Sequence, residues 1–497
     1  MPDLPEPPMS ATEIAVAELN AVALGVPLEQ LMENAGRAVA EEVQARAPTP
    51  TTRVAIVAGP GNNGGDGSAL AHFLHQWGYP VELFLLLPPS EIRSAAARQC
   101  FERVAESLPV HIGVPTSSAL KGFDLAVDAL LGSGQKGPIR PPYRGAVDAL
   151  KESGLPILSI DVPTGLHDPT GIRPKWTVAL TALKEGMLST TCGEMSIRDI
   201  GIPEAARLET GPGDFLYFPS PSDRGRRGRS GRVVIIGGGP YAGAPALAGL
   251  AALSTGAERA TVFSPSPTAA LVQSFSPNLV VRPIGETHFR PRDVRAIRTA
   301  LYEAPPKAVV IGMGAGRDPE TIQALRLLLE GIAGTIPLVV DADGLDALPI
   351  EVGRRGGYDV VATPNAGEFV RVFAGSIDAP EEERLPMVRR IAAARGITIL
   401  VKGPSDLISD GRLVARNAHH DLAMTVSGVG DVLAGAVGAL LADGVPPLGA
   451  CRLASYLVGE AGRRASESRG FGLLATDVIQ AIPPALSEGV RRIRPSG

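Results

Sequence analysis

Apolar and polar positions along this chain repeat one pattern: a short aliphatic run, an exit bearing glycine or aspartate, then a helix-length amphipathic stretch. An unbroken aliphatic run of strand length predicts a strand buried on both faces. Such strands alternating with helices predict a parallel sheet with crossover connections. In the first half the predicted strands are 53–58 (RVAIVA), 80–87, 125–128 and 156–161, with helices over 68–77 and 90–107. Ahead of them, 9–47 has a helical pattern carried by Ile14, Leu19, Leu31, Ala35 and Val39. The pattern restarts at 232–236 and continues through 260–263, 308–311, 337–341, 360–363 and 397–401. Both halves are therefore expected to be α/β. Segment 211–231 (GPGDFLYFPSPSDRGRRGRSG) breaks the pattern with Pro, Gly, Ser and charge, and predicts domains over 1–215 and 231–497 joined by a linker, 216–230. Arg224, Arg226, Arg227 and Arg229 are expected to solvate that linker rather than grip phosphate.

The length of 497 residues agrees with two or three domains at about 150 residues each. A net charge of −5 gives no reason to expect nucleic acid as a partner. Cys100, Cys192 and Cys451 are scattered and form no metal-binding or disulfide spacing, so they are expected as small core residues. There is no basic segment followed by an apolar leader, and no apolar run of membrane length. A cytoplasmic protein with no membrane partner is the expectation. Aromatic residues make up only 4%, whereas glycine is plentiful at 58, and the glycines cluster at strand exits.

The first strand runs into Gly59-Pro60-Gly61-Asn62-Asn63-Gly64-Gly65-Asp66-Gly67. A glycine loop between a strand and a helix exposes backbone N–H groups and suits an anion. The motif is neither GxGxxG nor a Walker loop. It holds more glycine than a tight turn needs, which favours a functional loop. Asp128 and Asp161 end two further strands, where ligands collect in parallel α/β sheets. Capping of a following helix is the alternative for each.

GNNGGDG, DALLGSG and SIDVPTGL, preceded by LMENAGRAVA, resemble the NAD(P)HX epimerase domain over about residues 10–215. The resemblance implies a Rossmann-like three-layer αβα domain that interconverts the two C6-hydroxyl epimers of hydrated NAD(P)H. It implies substrate binding by Asn62, Asn63, Gly64, Gly65 and Asp66, by Gly132, Ser133, Gly134, Gln135, Lys136, Gly137 and Pro138, and by Asp161. Potassium is implied at Asn63, Asp128 and Thr164, with Asp161 as acid/base and Lys184 in the place of the family's lysine. Glu185 stands where the family has proline.

In the second half, Ser427-Gly428-Val429-Gly430-Asp431 opens a helical run. Free N–H groups at such a start suit a transferring phosphate, and an aspartate there suits proton abstraction from an attacking hydroxyl. Lys402-Gly403, Asp341-Ala342-Asp343, 363–368 (TPNAGE) and 312–316 (GMGAG) each follow a strand. Asp341 and Glu368 are candidates for Mg²⁺ through water, or for structural hydrogen bonding. His419 and His420 are expected as surface loop residues, because no further ligand completes a metal site.

These motifs, with GRVVIIGGG and YAGAPALAGLAAL, resemble the ribokinase-like superfamily and its ADP-dependent NAD(P)HX dehydratases over about residues 225–490. The resemblance implies a ribokinase-like αβα fold that phosphorylates the C6 hydroxyl from ADP, accompanied by Mg²⁺, and then expels phosphate. AMP and NAD(P)H result. It implies hydrate binding by Ala244, Gly314, Asn365 and Asp431, nucleotide binding by Lys402, Gly403, Pro404, Ser405, Asp406 and Gly430, and catalysis by Asp431. Asn365 stands where the family has histidine, and the loop before Gly428 lacks the usual Gly-Asn-x-Gly.

The leading reading is a homo-oligomeric two-step repair enzyme whose partners are NAD(P)HX and ADP. The alternatives are a C-terminal kinase for a small hydroxymethyl compound, or a degenerate nucleotide-binding module beside an active epimerase.

Overall fold

The computed structural model describes residues 7–135, 137–219, 231–350, 352, 360–376 and 378–494, so Lys136 and the four linker arginines lie outside the described residues. The chain forms two compact units, Met1–Ala206 and Arg207–Gly497.

The first unit is built on a parallel sheet of β1 (Val54–Ala58), β2 (Val81–Leu85), β3 (Val110–Ile112), β4 (Leu125–Ala129), β5 (Ile157–Ile160), β6 (Trp176–Leu180) and β7 (Glu194–Arg198). Their order in the sheet is β3-β2-β1-β4-β5-β6-β7. Strands β3, β6 and β7 add to the expected set. Alternate residues of β1 feed opposite cores: Val54, Ile56 and Ala58 pack with the helices Leu28–Arg46, Asn62–Gln76 and Ala95–Ala105. Ala55 and Val57 pack with Ala146, Val147 and Leu150 of Tyr143–Glu152. Both faces being covered explains why the strands read as unbroken aliphatic runs. The expected helical stretch 9–47 is two helices, Ala11–Ala23 and Leu28–Arg46, separated where Gly25 takes a φ of +92° before Pro27.

Among its described residues the second unit has nine strands: β8 (Arg232–Ile236), β9 (Arg259–Ser264), β10 (Val280–Pro283), β11 (Ala308–Ile311), β12 (Leu338–Val340), β13 (Val360–Ala362), β14 (Thr398–Val401), β15 (Asp406–Ser409) and β16 (Val414–Asn417). Their order is β10-β9-β8-β11-β12-β13-β14-β15-β16. Pairing is parallel as far as β14, then antiparallel through β15 and β16. Val233 and Ile235 face a core with the helices Gly243–Ser254, Val429–Ala442, Pro447–Arg469 and Ala475–Ile493, while Val234 and Ile236 face the other. Both units are thus three-layer αβα.

Residues 207–219 pack within the second unit. Buried Asp214 accepts from Arg452 Nε at 2.5 Å, and Arg452 also donates to the carbonyls of Arg207 and Glu209. Arg494 donates to the Leu216 and Phe218 carbonyls. Of the expected linker 216–230, residues 216–219 belong to the second unit, and 220–230 lie outside the described residues. No helix among the described residues is long and apolar enough to cross a membrane.

Candidate active sites at the strand exits

In each unit the strand order reverses between two central neighbours, β1 and β4 in the first and β8 and β11 in the second. A crevice opens at the carboxyl ends of strands flanking such a reversal. Most of the residues singled out from sequence lie on those exits.

In the first unit the helix begins at Asn62, so Asn62–Gly67 are its opening turns rather than a free loop. The glycines mostly serve close packing. A Cβ on Gly59 would strike the Leu130 carbonyl, one on Gly64 the Gly59 carbonyl, and those on Gly65 and Gly67 the side chains of Met32 and Ala97 and of Ala129. Only Gly61 meets open space. The exits of β1 and β4 are therefore drawn together backbone to backbone. Asn63 lies in these turns, and its buried amide has no protein partner on either Oδ1 or Nδ2.

Neither aspartate caps a helix. Asp128, fully buried, accepts from Thr164 Oγ1 at 2.7 Å, Thr164 N at 2.8 Å, Ser159 Oγ at 2.9 Å and Leu130 N at 3.3 Å. Burial raises its proton affinity above the ordinary carboxyl range, and these hydrogen bonds oppose the shift. Asp161 adopts a φ of +66°, a left-handed conformation that turns its side chain out of the strand direction. Its Oδ1 is ion-paired with Lys184, and its Oδ2 lies 3.4 Å from Ser133 N. Lys184 is buried and also donates to Leu180 O at 2.5 Å. A Cβ on Gly132 would sit 3.4 Å from Asn63 Cβ and 3.6 Å from Asp161 Oδ2, so Asn63, Gly132 and Asp161 meet.

A cleft of about 470 Å³ opens here, lined by Gly132, Ser133, Gln135, Gly137, Pro138 and Lys184, with Ser10 and Ala11 contributing from the first helix. Gln135 is held by its Oε1 accepting from Gly165 N at 2.9 Å. Glu18 escaped the sequence reading. Burial first, then the Asp161 charge, push its carboxyl up to about 7, against the pull of Lys184. Asp66 is raised well above the ordinary range by burial, Asp161 and Glu18. A lone Glu in an amphipathic helix carries no sequence signal of this.

In the second unit, Gly428 takes a φ of +97° and starts the helix Val429–Ala442. Lys402 stands under that start: a Cβ on Gly430 would be 3.1 Å from Lys402 Nζ. Lys402 Nζ donates to Asp341 Oδ1 at 2.6 Å, and Thr363 Oγ1 donates to the same oxygen at 2.9 Å. Burial works against the Lys402 charge, but Asp341, with Glu368 and Asp431, holds its pKa above the ordinary value. Burial pushes Asp431 up to about 7, with Asp341, Glu368 and Asp343 adding to the rise and Lys402 opposing it.

Asn365 caps the helix Ala366–Phe373: its Oδ1 accepts from Glu368 N at 2.9 Å, and Glu368 Oε2 accepts from Asn365 N at 2.8 Å. Asp341 thus pairs with the Lys402 ammonium and Glu368 serves the cap, the structural hydrogen bonding that was one of the two readings for these acids. Asp406 shapes the turn after β14 by accepting from Gly403 N at 3.1 Å and Ser455 Oγ at 2.5 Å, while Ser405 Oγ is buried without a protein partner. Ala244 lies beside Gly314, whose Cβ would be 3.2 Å from Ala244 Cβ, so the β8 and β11 exits close on one another as in the first unit.

A cleft of about 640 Å³ runs along Asn365, Lys402, Gly403, Pro404, Asp406 and Gly430. His420 and Thr425 to Ser427 form its far wall, which sequence patterning missed because the segment is irregular. The two histidines lie in a loop, as expected, but half-buried: His420 lines this cleft, while His419 stacks on Tyr456 and bonds Glu460 Oε2 at 2.8 Å.

Comparison with known proteins gives two family matches, NAD(P)H-hydrate dehydratase over residues 233–484 and YjeF-related protein N-terminus over residues 28–186. Neither match includes the helix Ala11–Ala23. The chain is 37% identical to a bifunctional NAD(P)H-hydrate repair enzyme from Pyrobaculum aerophilum, an alignment covering 96% of this chain and 97% of the relative. It is 36% identical to one from Archaeoglobus fulgidus, covering 96% and 98%. Among solved structures it is similar to an ADP/ATP-dependent NAD(P)H-hydrate dehydratase from Bacillus subtilis co-crystallised with ATP/Mg²⁺. That match has 21% identity, covers 56% of this chain and 96% of the other, and has a TM-score of 0.49.

Proposed function

The chain belongs to the family of bifunctional NAD(P)H-hydrate repair enzymes, and from that premise we propose that its two units carry out consecutive repairs. The first unit, Met1–Ala206, epimerises hydrated NAD(P)H, and the second, Arg207–Gly497, dehydrates one epimer at the expense of ADP. The observation that supports this reading best is repeated in both units: an acid stands beside a lysine past the carboxyl ends of the strands, Asp161 after β5 with Lys184 after β6, and Asp431 in the first turn of its helix with Lys402 after β14.

In the epimerase, the Asp161 carboxyl donates its proton to the C6 hydroxyl, which leaves as water while the ring nitrogen's lone pair forms a planar iminium. Water adds to the opposite face and returns the proton to Asp161. Lys184 and Ser133 N hold the two carboxylate oxygens during this exchange. The segment from Gly132 to Pro138 and the opening helical turn Asn62–Asp66 surround the substrate. The orphaned Asn63 amide offers an oxygen that a monovalent cation would take, with Asp128 and Thr164, bonded to each other, as the further ligands we propose. Potassium there would offset the Asp128 charge.

In the dehydratase, Asp431 accepts the proton of the C6 hydroxyl as that oxygen attacks the terminal phosphate of ADP, and AMP departs. The free N–H groups at Gly428 to Asp431 face the moving phosphate. Phosphate then leaves C6 with its bonding electrons, a far better leaving group than hydroxide; the iminium so formed loses a proton from C5 to solvent, and NAD(P)H is restored. Lys402 to Asp406 hold the nucleotide, and Ala244, Gly314 and Asn365 the hydrate. Magnesium arrives with the nucleotide.

The test supplies each epimer of the hydrate separately, with and without ADP, and follows recovery of reduced-nicotinamide absorbance. Both epimers should be recovered with ADP and neither without it. Asp431→Ala should lose recovery yet still interconvert the epimers, and Asp161→Asn should recover one epimer only. Loss of both activities in Asp431→Ala would refute two separate sites.

A further inference from the structure

Two segments that line the first cleft are joined by one carboxylate. The residues after β5 fold back on themselves: Asp168 N donates to Gly165 O at 2.8 Å, Gly171 N to Asp168 O at 2.9 Å, and Ile172 N to Thr164 O at 2.9 Å. Asp168 Oδ1 accepts from Thr170 N at 2.8 Å and from Thr170 Oγ1 at 2.6 Å, which closes the turn. Its Oδ2 reaches out of the turn and accepts from Ile139 N at 3.1 Å and from Arg144 Nη2 at 3.1 Å. Ile139 follows Gly137 and Pro138 in the cleft wall, and its buried side chain rests on Gly165, where a Cβ would strike Ile139 Cδ1. Gly165 N also donates to Gln135 Oε1 at 2.9 Å, so the wall is held at two points.

We propose that Asp168 is a positioning residue of the epimerase, which fastens Ile139 N and so sets the Gly137–Pro138 wall in place before the hydrate enters. This rests on the first unit being the epimerase. Asp168 itself lines the cleft, but its two oxygens already take four donors, so its work is to hold protein rather than substrate. An ionised carboxylate beside a phosphate-bearing substrate is a cost to binding, which Arg144 offsets. The tie to Ile139 is the return: a wall already ordered spares the hydrate the entropy of ordering it. Ile139 N donates to no other group among the described residues, whereas Arg144 keeps a second bond to the turn, Nη1 to Thr170 O at 3.3 Å. The amide contact is therefore the one the wall depends on, and the ion pair is secondary.

The experiment uses the full-length chain, one purified epimer of hydrated NADPH and no ADP, with epimerisation followed by chromatography. Amide hydrogen exchange over 137–139, read by mass spectrometry without substrate, reports the wall directly. Asp168→Ala should raise KM about tenfold, keep kcat within about twofold, and speed exchange at Ile139. Asp168→Asn, with one acceptor oxygen for two sets of donors, should fall between it and the parent, and it carries the test if the alanine variant does not fold. Arg144→Ala should stay within about twofold of the parent in KM. A parent-like KM in both Asp168 variants, beside an active parent enzyme, overturns the proposal and leaves the epimerase reading intact. So does a loss confined to kcat and Tm, since Asp168 would then serve the fold alone. An Arg144→Ala loss as large as that of Asp168→Ala overturns it too, because the ion pair would then be what matters. A parent that epimerises nothing overturns the epimerase reading, and the proposal with it.

Discussion

Asp431 shows how a buried acid links catalysis to stability. Its carboxyl is pushed up to about 7, so between its unfolded value and 7 the folded chain binds more protons than the unfolded chain. The sign follows: its stabilising contribution is complete at acid pH and is lost as pH rises through about 7. Asp431→Asn should therefore raise Tm at alkaline pH, by the equivalent of about 1–4 kcal/mol, with the gain vanishing toward about pH 4. Thermal melts across pH decide this, and a lower Tm at alkaline pH would mean that the carboxylate is well solvated. Dehydration by the parent enzyme should rise through the same pH range, because the base must be ionised. Asn63 offers a second test. Its buried amide has no protein partner, so Asn63→Leu should not cost the roughly 1–3 kcal/mol typical of a broken buried hydrogen bond, yet it should abolish any potassium dependence of epimerisation. At this scale the sequence made visible the residues that sit on motifs: Asn63, Asp128, Asp161, Lys402 and Asp431. The surroundings of Glu18 and His420 were illegible, because they are formed by neighbours far away in the chain.

The glycine-rich turns carry their meaning at the scale of elements. Gly59, Gly64 and Gly67 suggested bare backbone for phosphate, but in the fold they let β1, β4 and the helix Asn62–Gln76 approach one another. Gly64→Ala has no room against the Gly59 carbonyl and should destabilise the first unit by about 2–4 kcal/mol in denaturant melts. Gly61→Ser meets open space at an N-cap of extended conformation, and should be neutral or slightly stabilising. Similar losses for both would deny the packing role. Strand recognition failed for a related reason. Half-exposed β7 shows no apolar run, and β15 with β16 forms an antiparallel extension that a βα rhythm does not announce.

For the whole molecule, each unit has its own layered cores, which predicts two calorimetric transitions. Asp431→Asn should move one of them and Gly64→Ala the other; a single transition moved by both would argue against independent units. The Arg452–Asp214 pair locks 207–219 into the second unit, and Arg452→Ala, which takes the guanidinium away from a fully buried carboxylate, should cost that unit about 3–5 kcal/mol. The sequence by itself determined the fold class, the central strands and the motif residues, because two-sided burial and strand-exit chemistry are written locally as aliphatic runs and short patterns. Only the tertiary structure decided which glycines pack and which stay open, where the second unit begins, and which acids share a lysine. Those depend on backbone approach and electrostatic neighbours across distant segments, and local patterning does not encode them.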